Sequence, residues 1–258
     1  MLFKQLFDPT SCTYTYLLAD TESRQAVLID PVREQLDRDL AVLREHNLNL
    51  AWVLDTHVHA DHVTGANALR AATGAQTAVG DGCNASGFDH QLNDGDELRF
   101  GNEVLRIIAT PGHTHGSISY QWRDRVFTGD ALLIGGCGRT DFQAGDADVL
   151  YFSITEKLFS LADETLVYPG HDYNGRRVSS IGEEKALNPR LAGKNKDEFV
   201  AIMNGLDLPK PRLIDIAVPA NLVGGSLRST KPTDLETTSC KPSPLPPWPT
   251  CNSKAWST

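Results

Sequence analysis

Short apolar and aromatic runs broken by polar turns dominate the first third of the chain. Phe3 to Leu18 and Gln25 to Ile29 are interrupted by Asp8-Pro9-Thr10-Ser11 and Asp20-Thr21-Glu22-Ser23, which predicts antiparallel strands and turns. Leu36, Leu40, Leu43 and Leu48 then recur at near-helical spacing in a charged background, predicting a surface helix. The uninterrupted apolar run Leu50 to Leu54 reads as a buried strand. Val63 to Thr73 is expected to be helical, with Gly74 suited to its end and Asp61 placed where it can cap the helix and face a metal. Glu97 to Phe100, Glu103 to Ala109 and Ser117 to Phe127 alternate as strands, the first two joined by the Gly101-Asn102 turn. Ala147 to Leu161 reads as helix, Leu166 to Tyr168 as strand, and Glu183 to Leu206 as mostly helix with breaks near Asn188-Pro189 and at Gly193.

Chemistry concentrates at the ends of these strands. Thr56-His57-Val58-His59-Ala60-Asp61-His62 places three imidazoles and a carboxylate in seven residues directly after Leu50 to Leu54. Neutral imidazole and carboxylate suit borderline cations such as zinc or ferrous iron. On an extended chain His57 and His59 would point the same way and converge on one ion, with Asp61 and His62 turned toward a second position. Thr110-Pro111-Gly112-His113, Thr128-Gly129-Asp130 and Tyr168-Pro169-Gly170-His171 supply further ligands, each after a β-rich stretch.

Four strand-end clusters in the order HxHxDH, H, D, H resemble the metallo-β-lactamase superfamily over roughly residues 1 to 220. That resemblance implies an α/β (α+β) fold, an αββα sandwich of two mixed β-sheets flanked by helices, with the metal site at one edge between the sheets. Three further phrases narrow it: Gly135-Gly136-Cys137-Gly138-Arg139-Thr140-Asp141-Phe142-Gln143, Gly170-His171-Asp172-Tyr173-Asn174-Gly175-Arg176 and Ala217-Val218-Pro219-Ala220-Asn221. Together they are similar to the persulfide dioxygenase (sulfur dioxygenase) family.

The family resemblance implies one Fe(2+) per chain, held by His57, His113 and Asp130, with His59, Asp61, His62 and His171 as outer-shell groups. The residues by themselves leave capacity for two ions. The implied reaction converts glutathione persulfide with O2 and water to sulfite and glutathione. Glutathione carries two carboxylates. Arg139 can grip one in a bidentate fork, Tyr173 and Arg176 offer a hydroxyl and a second guanidinium, and Asp141 can fix Arg139 or take the ligand's amino group. The alternative reading is a glyoxalase II type hydroxyacylglutathione thioesterase with a binuclear metal site, which shares the ligand set but not the Asp172-Tyr173 phrase or the glycine-rich loop. Some family members are fused to a rhodanese sulfurtransferase domain. The tail here is too short for one, so a separate rhodanese-type sulfurtransferase is expected as a functional link, alongside a homodimer.

Composition sets the outer limits. After Gly224-Gly225 come six prolines (232, 242, 244, 246, 247, 249) with many Ser and Thr, so residues 226–258 are expected to be a disordered tail and residues 1–225 the domain. Pro246-Pro247-Trp248-Pro249 is expected to be part of a passive linker rather than a polyproline ligand. The chain of 258 residues carries 24 basic and 33 acidic side chains, a balance that disfavours nucleic acid and anionic membrane as partners. No stretch of 18 apolar residues occurs and the start resembles no targeting signal, so a cytoplasmic protein is expected. Cys12, Cys83, Cys137, Cys240 and Cys251 form no even framework, which predicts reduced thiols.

Overall fold

The strand Thr13–Ala19 is buried at every position, which requires cover on both of its faces. Tyr14, Tyr16 and Leu18 enter an apolar cluster with Tyr120, Trp122, Phe127 and Tyr168. Leu17 and Ala19 enter another with Leu28, Leu43 and Leu69. Alternation of side chains along a strand thus places this one between a second sheet and a helical layer. The structure, a computed structural model, describes residues 1–226 and repeats that arrangement in mirror order on the other side.

The first sheet runs in chain order: β1 (Leu2–Asp8), β2 (Thr13–Ala19), β3 (Gln25–Ile29), β4 (Asn49–Leu54), β5 (Gln76–Gly80) and β6 (His90–Leu92). β1 to β3 pair antiparallel and β3 to β6 parallel. The second sheet contains β7 (Glu97–Phe100), β8 (Glu103–Ala109), β9 (Ile118–Trp122), β10 (Arg125–Gly129), β11 (Leu166–Pro169) and β12 (Ser179–Ser180) in consecutive spatial order. Only β10 and β11 are parallel there. Leu43 of α1 (Leu36–Glu45) and Ala66 and Leu69 of α2 (Ala66–Thr73) cover the first sheet. Leu150 of α3 (Ala147–Phe152), Ile181 of α4 (Ile181–Leu187) and Phe199 of α5 (Lys196–Asn204) cover Val126 and Val167 of the second. Each of these large apolar side chains contributes about 1.5–3 kcal/mol by leaving water. The result is the expected αββα sandwich of two mixed sheets.

Several local expectations need correction. α2 begins at Ala66 rather than Val63, and its N-cap, Gly65, makes no side-chain bond. Asp61 does not cap it, because its carboxylate is turned to His62 and His171. Ser117 to Phe127 is two strands, not one: Arg123 takes a positive φ of 53° and Trp122 pairs directly with Arg125. The expected helix from Ala147 changes to a wider turn at Ser153–Lys157 and a tight one at Leu158–Ser160. β5 and β6 were not expected from the sequence pattern. The last helix among the described residues, α6 (Ile214–Asn221), packs Ala217 and Ala220 on Val63, beside the histidine-rich loop. Cys83 and Cys137 are free thiols, as expected. The expectations for the Pro-rich tail from residue 227 onward, Cys240 and Cys251 included, lie outside the described residues. Among the described residues no helix is long and apolar enough to cross a membrane.

Candidate metal centre

Parallel neighbours deliver their C-terminal ends to the same edge of a sheet, and two such pairs build this site. β3 and β4 bring Asp30, Asp55 and the 56–62 loop to one edge; β10 and β11 bring Asp130 and His171 to the facing edge. His113 arrives on the loop between β8 and β9. The chain past Leu54 is not extended, so His57 and His59 part company despite ring centroids 4.1 Å apart. His57 gathers with His113 and Asp130, while His59 gathers with Asp61 and His62, the donor atoms of each group lying within 4.8 Å of one another. This departs from the expectation that His57 and His59 share an ion, because that expectation needed the strand to continue. His171 stands between the groups, with Nε2 3.6 Å from Asp130 Oδ1 and 3.7 Å from Asp61 Oδ2.

Hydrogen bonds fix which nitrogen each ring presents. His113 Nδ1 donates to the Arg139 carbonyl at 2.7 Å and His171 Nδ1 to the Cys12 carbonyl at 3.2 Å. Thr56 Oγ1 donates to Asp30 Oδ2 at 2.9 Å and so accepts from His57 Nδ1, also at 2.9 Å. All three rings therefore keep an Nε2 lone pair for the centre, the arrangement usual for ligating histidines. Burial, then His59 and His113, hold His57 well below its ordinary pKa, so it is neutral and free to ligate. His59 differs: burial opposes its charge, but the Asp30 carboxylate at 3.1 Å and Asp55 push it up to about 10. Burial opposes ionisation of Asp61 as well, yet His62 and His171 hold its carboxyl well below the usual range. Asp55 is pushed up to about 7 by burial.

These residues fit a metal ion. Asp130 Oδ1 and His62 Nε2 are buried with no hydrogen-bond partner, a costly state for polar atoms that a cation would relieve. The donor set of imidazole and carboxylate is the one such ions take. Two glycines let the walls close around it. A Cβ on Gly138 would lie 2.3 Å from Asp130 O and 2.7 Å from His113 Nδ1, and one on Gly129 2.4 Å from Thr56 Oγ1. This accounts for glycine at 138 in the Gly-rich phrase.

A cavity of about 390 Å³ opens beside His57, His113 and Asp130, a volume within the range of small-molecule sites. Arg139 and Tyr173 line it; Asp141 and Arg176 do not. Arg139 is held by Asp141 at 2.6 Å through both Nε and Nη2, and donates to the carbonyls of Pro209 and Leu208 at 2.7 and 3.1 Å. Arg176 pairs with Glu183 at 2.5 Å. Tyr173 stacks near-parallel on His171, and burial followed by Asp130 and Asp61 keeps it a phenol. Cys137 is packed against Met203 Sδ at 3.6 Å and burial raises its thiol, as expected of an inert cysteine. The sequence reading missed Asp30, Asp55 and Thr56, although Asp30 and Asp55 each follow an apolar run, the same signal that singled out Asp130. It also missed Arg190, Lys210 and Arg212 on the cavity wall, for which the sequence holds no local signal.

Comparison with known proteins places these observations in a family. Residues 11–171 match the model for the metallo-beta-lactamase superfamily. The chain is 50% identical over 224 residues to persulfide dioxygenase ETHE1, mitochondrial, of Mus musculus and of Homo sapiens, covering 86% of this chain and 88% of each relative. The crystal structure of ETHE1 from Myxococcus xanthus superposes with a TM-score of 0.86 at 59% identity, covering 88% of this chain and all of that one. A more distant structure, TTHA1623 in a di-iron-bound form, has a TM-score of 0.60 at 27% identity over 74% of this chain and all of its own.

Proposed function

The chain belongs to the persulfide dioxygenase family of the metallo-β-lactamase superfamily, and from that premise we propose that it oxidises glutathione persulfide with O2 and water to sulfite and glutathione. Residues 1–225 are the dioxygenase domain in this reading. One Fe(2+) per chain is held by His57, His113 and Asp130, and His59, Asp61, His62 and His171 orient that set and its waters. The observation that carries the assignment of ligands is the gathering of two Nε2-presenting imidazoles and the partnerless Asp130 carboxylate at the cavity wall. Iron held by these two histidines and one carboxylate would supply the binding and activation of oxygen and persulfide.

The residues around it do the binding and orienting. Thr56 and the Arg139 carbonyl keep His57 and His113 in the ligating tautomer. The cavity takes the glutathione moiety, with the Tyr173 hydroxyl as a donor and Arg139 as the cation for a carboxylate. Arg139 would take that carboxylate by exchanging it for Asp141 or for the Leu208 and Pro209 carbonyls; Asp141 lies off the cavity wall and would reach the ligand's amino group only if Arg139 releases it. Arg176, engaged with Glu183 outside the cavity, reaches glutathione only after a similar exchange. Holding the glutathione moiety beside His57, His113 and Asp130 would remove much of the entropic barrier to reaction. A cytoplasmic location, a homodimer and a rhodanese-type sulfurtransferase as supplier of persulfide complete the proposal, although the mouse and human relatives carry mitochondrial in their names.

The second donor group, His59, Asp61 and His62, keeps the glyoxalase II reading in view, since a second ion held there would supply activated water for hydrolysis of a glutathione thioester. Presenting the purified enzyme with both substrates separates the two. Turnover of glutathione persulfide without hydrolysis of a hydroxyacylglutathione supports the dioxygenase; the reverse overturns it.

A further inference from the structure

The phrase Ala217-Val218-Pro219-Ala220-Asn221 lies beyond the residues matched to the superfamily model and has no role in the reaction as described so far. Asn221 closes α6 and is 1% exposed. Its side chain makes three hydrogen bonds, all to the backbone of the loop that carries the metal donors. Nδ2 donates to the carbonyls of His59 and His62 at 2.9 and 2.8 Å, and Oδ1 accepts from the Thr64 amide at 2.9 Å. Both amide hydrogens and the carbonyl of this side chain are thereby engaged.

The loop needs such a partner. Between the end of β4 at Leu54 and the start of α2 at Ala66 the backbone is held at both ends, by Asp55 N to Ala78 O at 3.1 Å, Ile118 N to Thr56 O at 2.9 Å, Arg33 N to Val63 O at 2.9 Å and Gly65 N to Pro31 O at 2.7 Å, while in its middle the carbonyls of His59 and His62 are held by Asn221. The two carbonyls that Asn221 binds bracket Asp61 on either side. They therefore set the half-turn in which His59, Asp61 and His62 face His57 and His171. Asn221 is itself fixed from behind: the Ser86 amide donates to Leu222 O at 2.8 Å, the Asn67 amide to Gly224 O at 3.0 Å and Asn67 Nδ2 to Val223 O at 2.8 Å. A Cβ on Gly87 would meet Val223 C at 2.0 Å, so the end of α6 sits directly against the body of the fold.

We propose that Asn221 is a positioning residue for the metal centre, through which α6 clamps the His59–His62 half-turn in the geometry that the metal requires. The inference rests on the reading that this site holds a metal and is independent of which reaction the metal supports. Helix α6 is then part of the site and not an accessory to it.

Asn221→Asp and Asn221→Ala test it on the full chain loaded with Co(II), whose visible bands report ligand geometry. The aspartate keeps an acceptor for Thr64 but turns an anion toward two carbonyl oxygens; the alanine removes all three bonds. Both variants are expected to release cobalt to a competing chelator at about 10- to 100-fold lower chelator strength, with shifted cobalt bands and an unchanged far-ultraviolet circular dichroism spectrum. Folded variants with wild-type bands and cobalt affinity would overturn the proposal, even if their apo melting temperature falls, because stability alone is a structural role. If neither variant folds, Asn67→Ala reads the same coupling, since it loosens only the tether to Val223 and Ser226. A smaller shift of the cobalt bands in Asn67→Ala supports the clamp, and unmoved bands contradict it. Loss of persulfide turnover with normal cobalt binding would concern the reaction and leave this inference without support.

Discussion

Replacing Thr56 with valine removes one hydroxyl from the centre of the site at nearly constant volume, and its consequence can be worked out bond by bond. Thr56 Oγ1 has a single hydrogen, which goes to Asp30 Oδ2, an acceptor only; its lone pair therefore receives His57 Nδ1–H. Asp30 keeps the Thr56 amide at 2.7 Å and His59 Nε2 at 3.1 Å, so it loses one partner of three. His57 loses more. Its ring is 2% exposed, and in the ligating tautomer Nδ1–H would face a methyl group with no water to replace the bond. A buried donor without a partner costs about 1–3 kcal/mol, which corresponds to about 10- to 100-fold in metal affinity. Moving the hydrogen to Nε2 avoids that cost only by removing the lone pair that binds metal. Because burial and neighbouring histidines already hold His57 neutral, protonation does not compete with metal near neutral pH and the tautomer is the quantity at stake. Chelator competition on wild type and Thr56→Val, each loaded with iron or cobalt, measures the effect. Affinity within about twofold of wild type would refute the argument that Thr56 sets the ligating nitrogen.

Arg139→Ala is expected to raise KM more than it lowers kcat, by about 1.5–3 kcal/mol of charged hydrogen bonding, in steady-state assays against glutathione persulfide; an unchanged KM removes Arg139 from substrate binding. Gly138→Ala, whose Cβ would press on Asp130 O and His113 Nδ1, should lower metal content about tenfold or more in a folded protein, and wild-type metal content would contradict this. Asp39 has its carboxyl pushed up to about 6 by burial, Arg38 notwithstanding, and its Oδ2 is buried without a partner. Its folded-state pKa is raised, so its anion destabilises the fold progressively as pH rises from about 4 through 6 and fully above that range. Asp39→Asn should therefore gain up to about 3 kcal/mol over wild type in urea denaturation near neutral pH, with the gain fading as pH falls toward 4. A gain independent of pH would show that Asp39 is not the group responsible.

What could be read from the sequence was what neighbouring residues encode together. Leu50 to Leu54 followed by three histidines, and apolar runs followed by His113, Asp130 and His171, announced clustered strand-end donors because the strand and its terminal polar residue are adjacent in the chain. The Gly74 end of α2, with φ of 76°, and the Gly101-Asn102 turn were legible for the same reason. Long-range pairing was not. Asp30 joins the site because β3 runs parallel to β4, and no local pattern distinguishes a parallel neighbour from an antiparallel one. The Trp122 to Arg125 turn uses Arg123 and Asp124, which carry none of the glycine or asparagine signals of a tight hairpin. Arg139 looked like an open cation because the carbonyls of Leu208 and Pro209 that occupy it come from a distant segment. The split of His57 from His59 depended on where β4 stops, at Leu54, a boundary the run of apolar residues does not by itself mark for the residues beyond it.

The central claim is that this metal centre joins oxygen to a persulfide. Oxygen uptake by iron-reconstituted enzyme given glutathione persulfide, with sulfite quantified and metal counted on the same sample, tests it most directly. Uptake matched by sulfite at about one iron per chain is expected, as one site of two histidines and one carboxylate requires. No uptake by protein that holds its iron, or activity that requires two ions per chain, would contradict it.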